Sequence, residues 1–533
     1  MKKIVLKFGI LVATLCATSC NILDVPSTDV ILIEDFYKTK QDLEGALRGV
    51  YTTLASTKLY GGDMLARMGL SADIGYEVYS TDEGTVGYYD VTTTDTKVLG
   101  YWRELYAGIN RANLLLEHID DVEMSEEDEA LRERWRAEAT FLRAYFHFML
   151  TTRFGDIPLM LKSVESCKME DLQVAQSSQR EVYLNIIDEM SSCVGNLPTV
   201  NEVESAGRIS QTAAYGIMTR VCLYMAGRPL EEQGMYARAK SYAKKVIDSG
   251  LHALNPSYEQ VFINLIQDRY DLKESMFEVE FWGNNETSYS SVAGRVGRDN
   301  GIQVSSSNAK HQELGISIGA LRATPYFLEH FADGDLRKDW TISPYSYNSD
   351  GTTSDQTANF WIRYCGKFRR SYEIGTKGVN YTPINFPIIR YADVLLMYAE
   401  CVAADDNSSA SEVATAWEYL NQVRRRGYGV DIYTANESVD FLVSDRNELL
   451  DVVREERARE LGFELLRKDD LIRWGVFYNN MRDIAPTIPA GFTSSYYVAA
   501  RQYFGNASAR DVLWPIPYYE ISVNGKLSQN NGW

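Results

Sequence analysis

The sequence predicts a mostly α protein: an irregular scaffold of paired, tetratricopeptide-like helices with loop-rich inserts and a few short strands. Three observations predict it. Segments with apolar residues at helical spacing recur in pairs. Two zones, residues 57–100 and 283–387, are rich in Gly, Ser, Asn and Tyr and hold little periodicity. One segment, residues 274–282, alternates as a strand does. A chain of 533 residues exceeds one compact core, and 45% hydrophobic with 24% charged residues is a globular composition.

Residues 1–19 read as an export signal. Lys2 and Lys3 form its basic end, residues 8–17 its apolar middle, and Ala17-Thr18-Ser19 the small residues before Cys20. The apolar part is too short to cross a bilayer. Residues 20–35, with Pro26, Ser27 and Thr28, read as a tether. A helix over 40–54 then lines up Leu43, Ala46, Leu47, Val50 and Leu54. The zone 57–100 interleaves tyrosines with acids. Helices follow over 101–119, 126–153, 179–197, 211–226, 236–249, 391–404 and 411–426. The 211–226 and 236–249 helices form one hairpin, and 391–404 with 411–426 another. Ala213, Ala214, Ala399 and Ala403 stand where helices approach closely. Residues after Trp474 read as irregular until 512–521. Two regions are expected, 36–270 with its 57–100 loop and 271–533 with its 283–387 segment.

The densest run of charge is 451–474. Wound as a helix, it places Arg457, Glu460 and Glu464 on or beside the face that holds Val453, Leu461 and Leu465, with Gly462 a potential break. Charges on an apolar face are buried, and buried charges need partners. One reading makes Glu460 and Glu464 a carboxylate pair for glycoside hydrolysis. The other makes Arg457, Glu460, Glu464 and Arg467 an ionic lattice. Each glutamate has an arginine at helical spacing, which would hold its pKa down and spoil it as an acid, so the lattice is expected.

Composition excludes several functions. With 54 basic against 73 acidic residues the net charge is −19, which repels phosphate backbones and argues against a nucleic-acid partner. The cysteines are widely spaced, so neither a disulfide framework nor a zinc site is expected. Gly315-Ile316-Ser317-Ile318-Gly319 has the spacing of a nucleophile elbow, but only His330 follows, which leaves no workable triad. Asp333-Gly334-Asp335 opens like a calcium loop and lacks its closing glutamate. No cofactor is expected, calcium at that loop being the one candidate. The positive signal is aromatic: 35 tyrosines against 19 phenylalanines put a polar tip on most rings. A flat ring stacks on a sugar face while acids and amides take the hydroxyls. Asp73, Tyr76, Tyr79 and Tyr89 in the first zone, and Trp282 with Tyr289 at the second, are the candidate ligand-binding residues.

Residues 385–400, Asn-Phe-Pro-Ile-Ile-Arg-Tyr-Ala-Asp-Val-Leu-Leu-Met-Tyr-Ala-Glu, resemble the Arg-Tyr-Ala-Asp-x-Leu-Leu signature of the SusD/RagB family. The 451–474 block resembles that family's Glu-Arg-x-x-Glu-Leu and Asp-Leu-x-Arg-Trp run, and residues 514–533 resemble its ending. Leu465 stands where the family commonly has glycine. The small residues before Cys20 resemble a bacterial lipobox, which implies lipidation of Cys20. The resemblance implies a helical scaffold with a loop-rich ligand-binding region, and a non-enzymatic lipoprotein exposed on the outer-membrane surface. It implies import too: a glycan, or in some members a peptide, is handed to a SusC-like TonB-dependent transporter.

Overall fold

A computed structural model describes residues 36–78, 85–164, 168, 172–283, 293–442 and 445–533. Cys20, Tyr79, Tyr289 and the expected signal and tether lie outside the described residues.

The long helices form where local sequence dictates them: Lys40–Thr52, Thr96–His118, Glu129–Phe154, Gln179–Cys193, Gln211–Ala226, Met235–Asp248, Tyr391–Ala404, Ala410–Gly427 and Arg446–Leu461. Several starts are fixed by reciprocal caps, in which a Thr or Ser oxygen takes the third backbone N–H and an acid there reaches back. Thr39 with Asp42, Ser178 with Glu181, and Ser409 with Glu412 are examples. Gln211–Ala226 packs on Met235–Asp248, which touches Tyr391–Ala404, and that helix lies against both Ala410–Gly427 and Arg446–Leu461. Ala213, Ala214 and Ala399 are fully buried, so backbones meet closely. These helices share one continuous apolar core.

The strand expected at 274–282 is Ser275–Val279, paired antiparallel with Phe386–Arg390. A second short pair, Gly75–Glu77 with Leu321–Ala323, joins the two irregular zones to each other. The expectation of irregular chain after Trp474 is corrected: Phe477–Ile484 and Ser495–Asn506 are helices. The second buries Ala499, Ala500, Tyr503 and Phe504 on one face, a stripe masked in the sequence by flanking Gly, Thr and Ser. With Tyr76, Tyr88, Tyr89, Trp361 and Phe477 they make a separate second core.

Candidate functional site

The charged block folds as the lattice reading expects, through partners that reading did not name. Arg446–Leu461 ends at Gly462, whose missing Cβ leaves room for the Phe327 ring. Phe463 and Leu465 then take left-handed φ of 64° and 67°, so the chain turns sharply and aims Glu464 inward. The Glu464 carboxylate meets Lys367 Nζ at 2.6 Å and Arg390 Nε at 2.7 Å. Glu460 accepts from Arg426 at 2.5 Å, Arg390 at 3.0 Å and Arg337 at 3.3 Å. Burial pushes the Glu460 carboxyl up, but Arg426, Arg390 and Arg337 outweigh it and bring it down to about 2. Arg457 pairs with Asp470 and Asp393. All of these groups are buried, and both glutamates are committed to cations.

The first-zone candidates lie under the surface. Asp73 is fully buried and chelated by Arg467 at 2.8 and 2.9 Å, with Asn480 Nδ2 at 2.9 Å. Burial alone would raise its pKa, and Arg467 and Asn480 hold it below the usual carboxylate range. Tyr76 packs beside Trp361 and Phe504 in the second core, its hydroxyl donating to the Trp361 carbonyl. Tyr89 packs on Phe477 and Tyr503, with the Lys468 ammonium 4.8 Å from its ring centre. Reading these three as ligand contacts is therefore corrected: the second core that covers them is assembled from the C-terminal helices. Asp335 is likewise occupied, bonded through both oxygens by Arg337. Among the described residues no group of three or more His, Cys, Asp and Glu is placed to hold a metal ion. Ser317 is buried in a bridge to Val304, and His330 bonds the Tyr326 carbonyl instead.

Trp282 stands apart from these. It is 67% exposed, three residues past the end of the Ser275–Val279 strand. All five strand residues are buried, Glu278 among them, and beyond the strand Phe281 is buried, Glu280 half-buried and Trp282 exposed. Beneath Trp282 the polar groups are linked. The Phe281 N–H donates to Asn385 Oδ1 at 2.9 Å, and Asn385 Nδ2 reaches Asp268 Oδ1 at 3.1 Å and Glu278 Oε2 at 3.2 Å. Tyr270, 44% exposed, lies close enough to Glu280, Asp268 and Glu278 for their charges to make its ionisation harder. Glu280 accepts from the Gly207 N–H at 3.1 Å, its carboxylate lying in the space that a Cβ at Gly207 would crowd. Burial, with Glu280 and Asp268 close by, raises the Glu278 carboxyl to about 8. The result is two exposed rings beside fixed acceptors, an arrangement that suits a polyhydroxylated ligand. Tyr270, Asp268, Glu280 and Asn385 were missed in the sequence. The alternation of Glu278, Glu280 and Trp282 could have found the central one of them.

A cavity of about 660 Å³ also opens in the 283–387 zone, between Pro325, Asp333, Asp339 and Phe360. Two of its charged lining residues are engaged within the protein, Asp335 on Arg337 and Arg363 on the Ser343 and Ile342 carbonyls.

Comparison with known proteins follows the same lines. A family model described as "SusD family" matches residues 259–533, and one described as "Starch-binding associating with outer membrane" matches residues 36–223. SusD-like protein P2 of Formosa agariphila is 24% identical over 556 residues, covering 100% of this chain and 99% of that protein. The starch-binding protein SusD of Bacteroides thetaiotaomicron is 24% identical over 456 residues, 78% of this chain and 75% of its own length. Among solved structures, a SusD homolog from Bacteroides thetaiotaomicron superposes with a TM-score of 0.82 at 27% identity, covering 94% of this chain and 98% of that one. Surface glycan-binding protein A of the same organism, in complex with laminarihexaose, superposes with a TM-score of 0.70 at 18% identity, covering 93% and 100%.

Proposed function

The chain belongs to the SusD family, and on that premise we propose that it binds an oligosaccharide or polysaccharide without chemically altering it. In this reading it is lipidated at Cys20, displayed on the outer-membrane surface, and delivers the glycan to a SusC-like TonB-dependent transporter. The observation that carries the binding step is Trp282, a ring left exposed just past a strand, with the half-buried acceptor Glu280 two residues before it. Relatives described as starch-binding and a neighbour described as laminarin-binding support the glycan class. The commitment of Glu460 and Glu464 to cations supports binding without hydrolysis. Tyr79 and Tyr289 remain proposed contacts alongside Trp282.

The test is migration of the purified protein in native gels cast with individual polysaccharides. Retardation by one polymer, lost in Trp282→Ala, is expected. Retention by peptides and by no glycan would transfer the reading to peptide uptake, and release of reducing ends would overturn binding without hydrolysis. Incorporation of radiolabelled lipid that persists in Cys20→Ala would refute the anchor.

A further inference from the structure

The charge around Trp282 is one-sided, and this bears on which glycans the face accepts. Asp268 and Glu280 flank Tyr270, and Glu278 lies below them through Asn385. Glu280, Asp268 and Glu278 all lie close enough to the Tyr270 hydroxyl to make its ionisation harder, in addition to its burial. The charged neighbours acting most on Glu278 are likewise Glu280 and Asp268. None of the nearby cations pairs with these acids among the described residues. Arg208, next to the glycine that seats Glu280, is held bidentate by Glu138 at 2.8 and 3.0 Å. Arg269 and Lys273 are exposed in the adjoining turn and form no ion pair with these acids among the described residues. The chain as a whole has a net charge of −19.

We propose that the Trp282 face selects uncharged glycan chains and rejects those bearing uronate or sulfate groups. The selection rests on the glycan-binding reading and narrows it. Asp268 accepts from Asn385 and Glu280 from the Gly207 N–H, and these bonds hold the two carboxylates at the face. A neutral hydroxyl donates to such carboxylates, whereas a second carboxylate or a sulfate only repels them. Two ionised acids roughly 8 Å from a ligand charge in water each weaken binding about twofold to threefold, together about fivefold.

The experiment uses matched polymers: laminarin and sulfated laminarin, and a second neutral glucan with its carboxymethylated form, in affinity gels at about 20 mM and about 300 mM salt. Within each pair the neutral member is expected to bind at least about fivefold more tightly at low salt. The ratio should shrink at high salt, where the Debye length falls below the separation of the charges. Glu280→Lys is expected to bring the ratio near one, and Asp268→Asn to lower it by about half, each ratio being taken within one variant so that a general loss of affinity cancels. Equal binding of the charged and neutral members by the native chain, or a ratio unmoved by both variants and by salt, would overturn the selectivity while leaving glycan binding intact. Retention by none of the polymers would overturn the glycan reading and this inference together.

Discussion

Replacing Glu460 with Gln keeps the shape of the side chain and removes one charge from the densest part of the lattice. In the native chain Glu274, Glu456, Glu460, Glu464 and Asp335 face Arg337, Arg390, Arg426, Arg459 and Lys367, acid for base. The variant leaves one buried cation uncompensated, and breaking a buried pair in this way costs about 3–5 kcal/mol. The pKa gives a similar figure by a separate route. Folding lowers the Glu460 carboxyl from 4.5 to about 2, and that difference is worth about 3 kcal/mol at neutral pH. Because the folded pKa is the depressed one, this stability is complete above pH 4.5 and is lost as the pH falls through about 2. Glu274, in the same lattice, shifts the opposite way because burial outweighs Arg426 and Arg390, so it partly offsets the acid sensitivity. Urea titrations of native chain and Glu460→Gln at several pH values measure the difference. A gap of about 3 kcal/mol at pH 7 that narrows between pH 4.5 and 2.5 is expected. Equal midpoints at pH 7, or a gap that widens on acidification, would refute the lattice argument.

Other substitutions separate scaffold from site. Trp282→Ala removes an exposed ring, so its unfolding free energy should stay within about 0.5 kcal/mol of native while glycan retardation falls at least about tenfold. Asp73→Asn should do the reverse, costing about 3 kcal/mol in a urea melt by stranding Arg467, with retardation kept at temperatures where the variant is folded. Glu278→Gln tests the opposite sign of linkage. Folding raises that carboxyl from 4.5 to about 8, so the native chain loses stability as the pH rises across that window, by on the order of 5 kcal/mol. The variant should gain on native in melting temperature from pH 6 to pH 9. Gly462→Ala drives a methyl into the Phe327 ring and should lower stability by about 1–3 kcal/mol in the same melts.

The parts of this fold that could be read in the sequence are those whose cause is local. Tyr391–Ala404 and Gln211–Ala226 were legible to the residue because apolar spacing and alanine-rich contact faces lie within the helix. Burial of Arg457 and Glu460 was legible from one helical wheel, whereas Glu464 is turned inward by the left-handed chain past Gly462, where the helix has ended. Their partners were not, because Glu460 is held by residues 34, 70 and 123 positions away, while its neighbour at helical spacing, Arg457, is engaged by Asp393 and Asp470. Leu465 shows what a departure from a family pattern means physically. Glycine is usual there because the backbone is left-handed, and this chain puts a leucine at φ 67° instead.

The tyrosines of residues 57–100 failed for a related reason. A stretch without periodicity reads as exposed loop, yet Asp73 is bound by Arg467, 394 residues on, and Tyr76 and Tyr89 are roofed by Tyr503 and Phe504. Composition alone could not distinguish these rings from Trp282, since all are aromatic residues among acids in loop-rich chain. What distinguishes them is whether each polar neighbour is already occupied. Arg467 and Asn480 take up both oxygens of Asp73, and the carboxylate is fully buried out of a ligand's reach. Tyr76 donates its hydroxyl to a backbone carbonyl inside the core. Trp282 lies just past a strand, two residues after Glu280, which receives a backbone N–H and pairs with no cation among the described residues, and an acceptor in that state still has capacity for a sugar hydroxyl. Spare hydrogen-bonding capacity beside an exposed ring, more than the ring itself, is what marks a carbohydrate face on this scaffold.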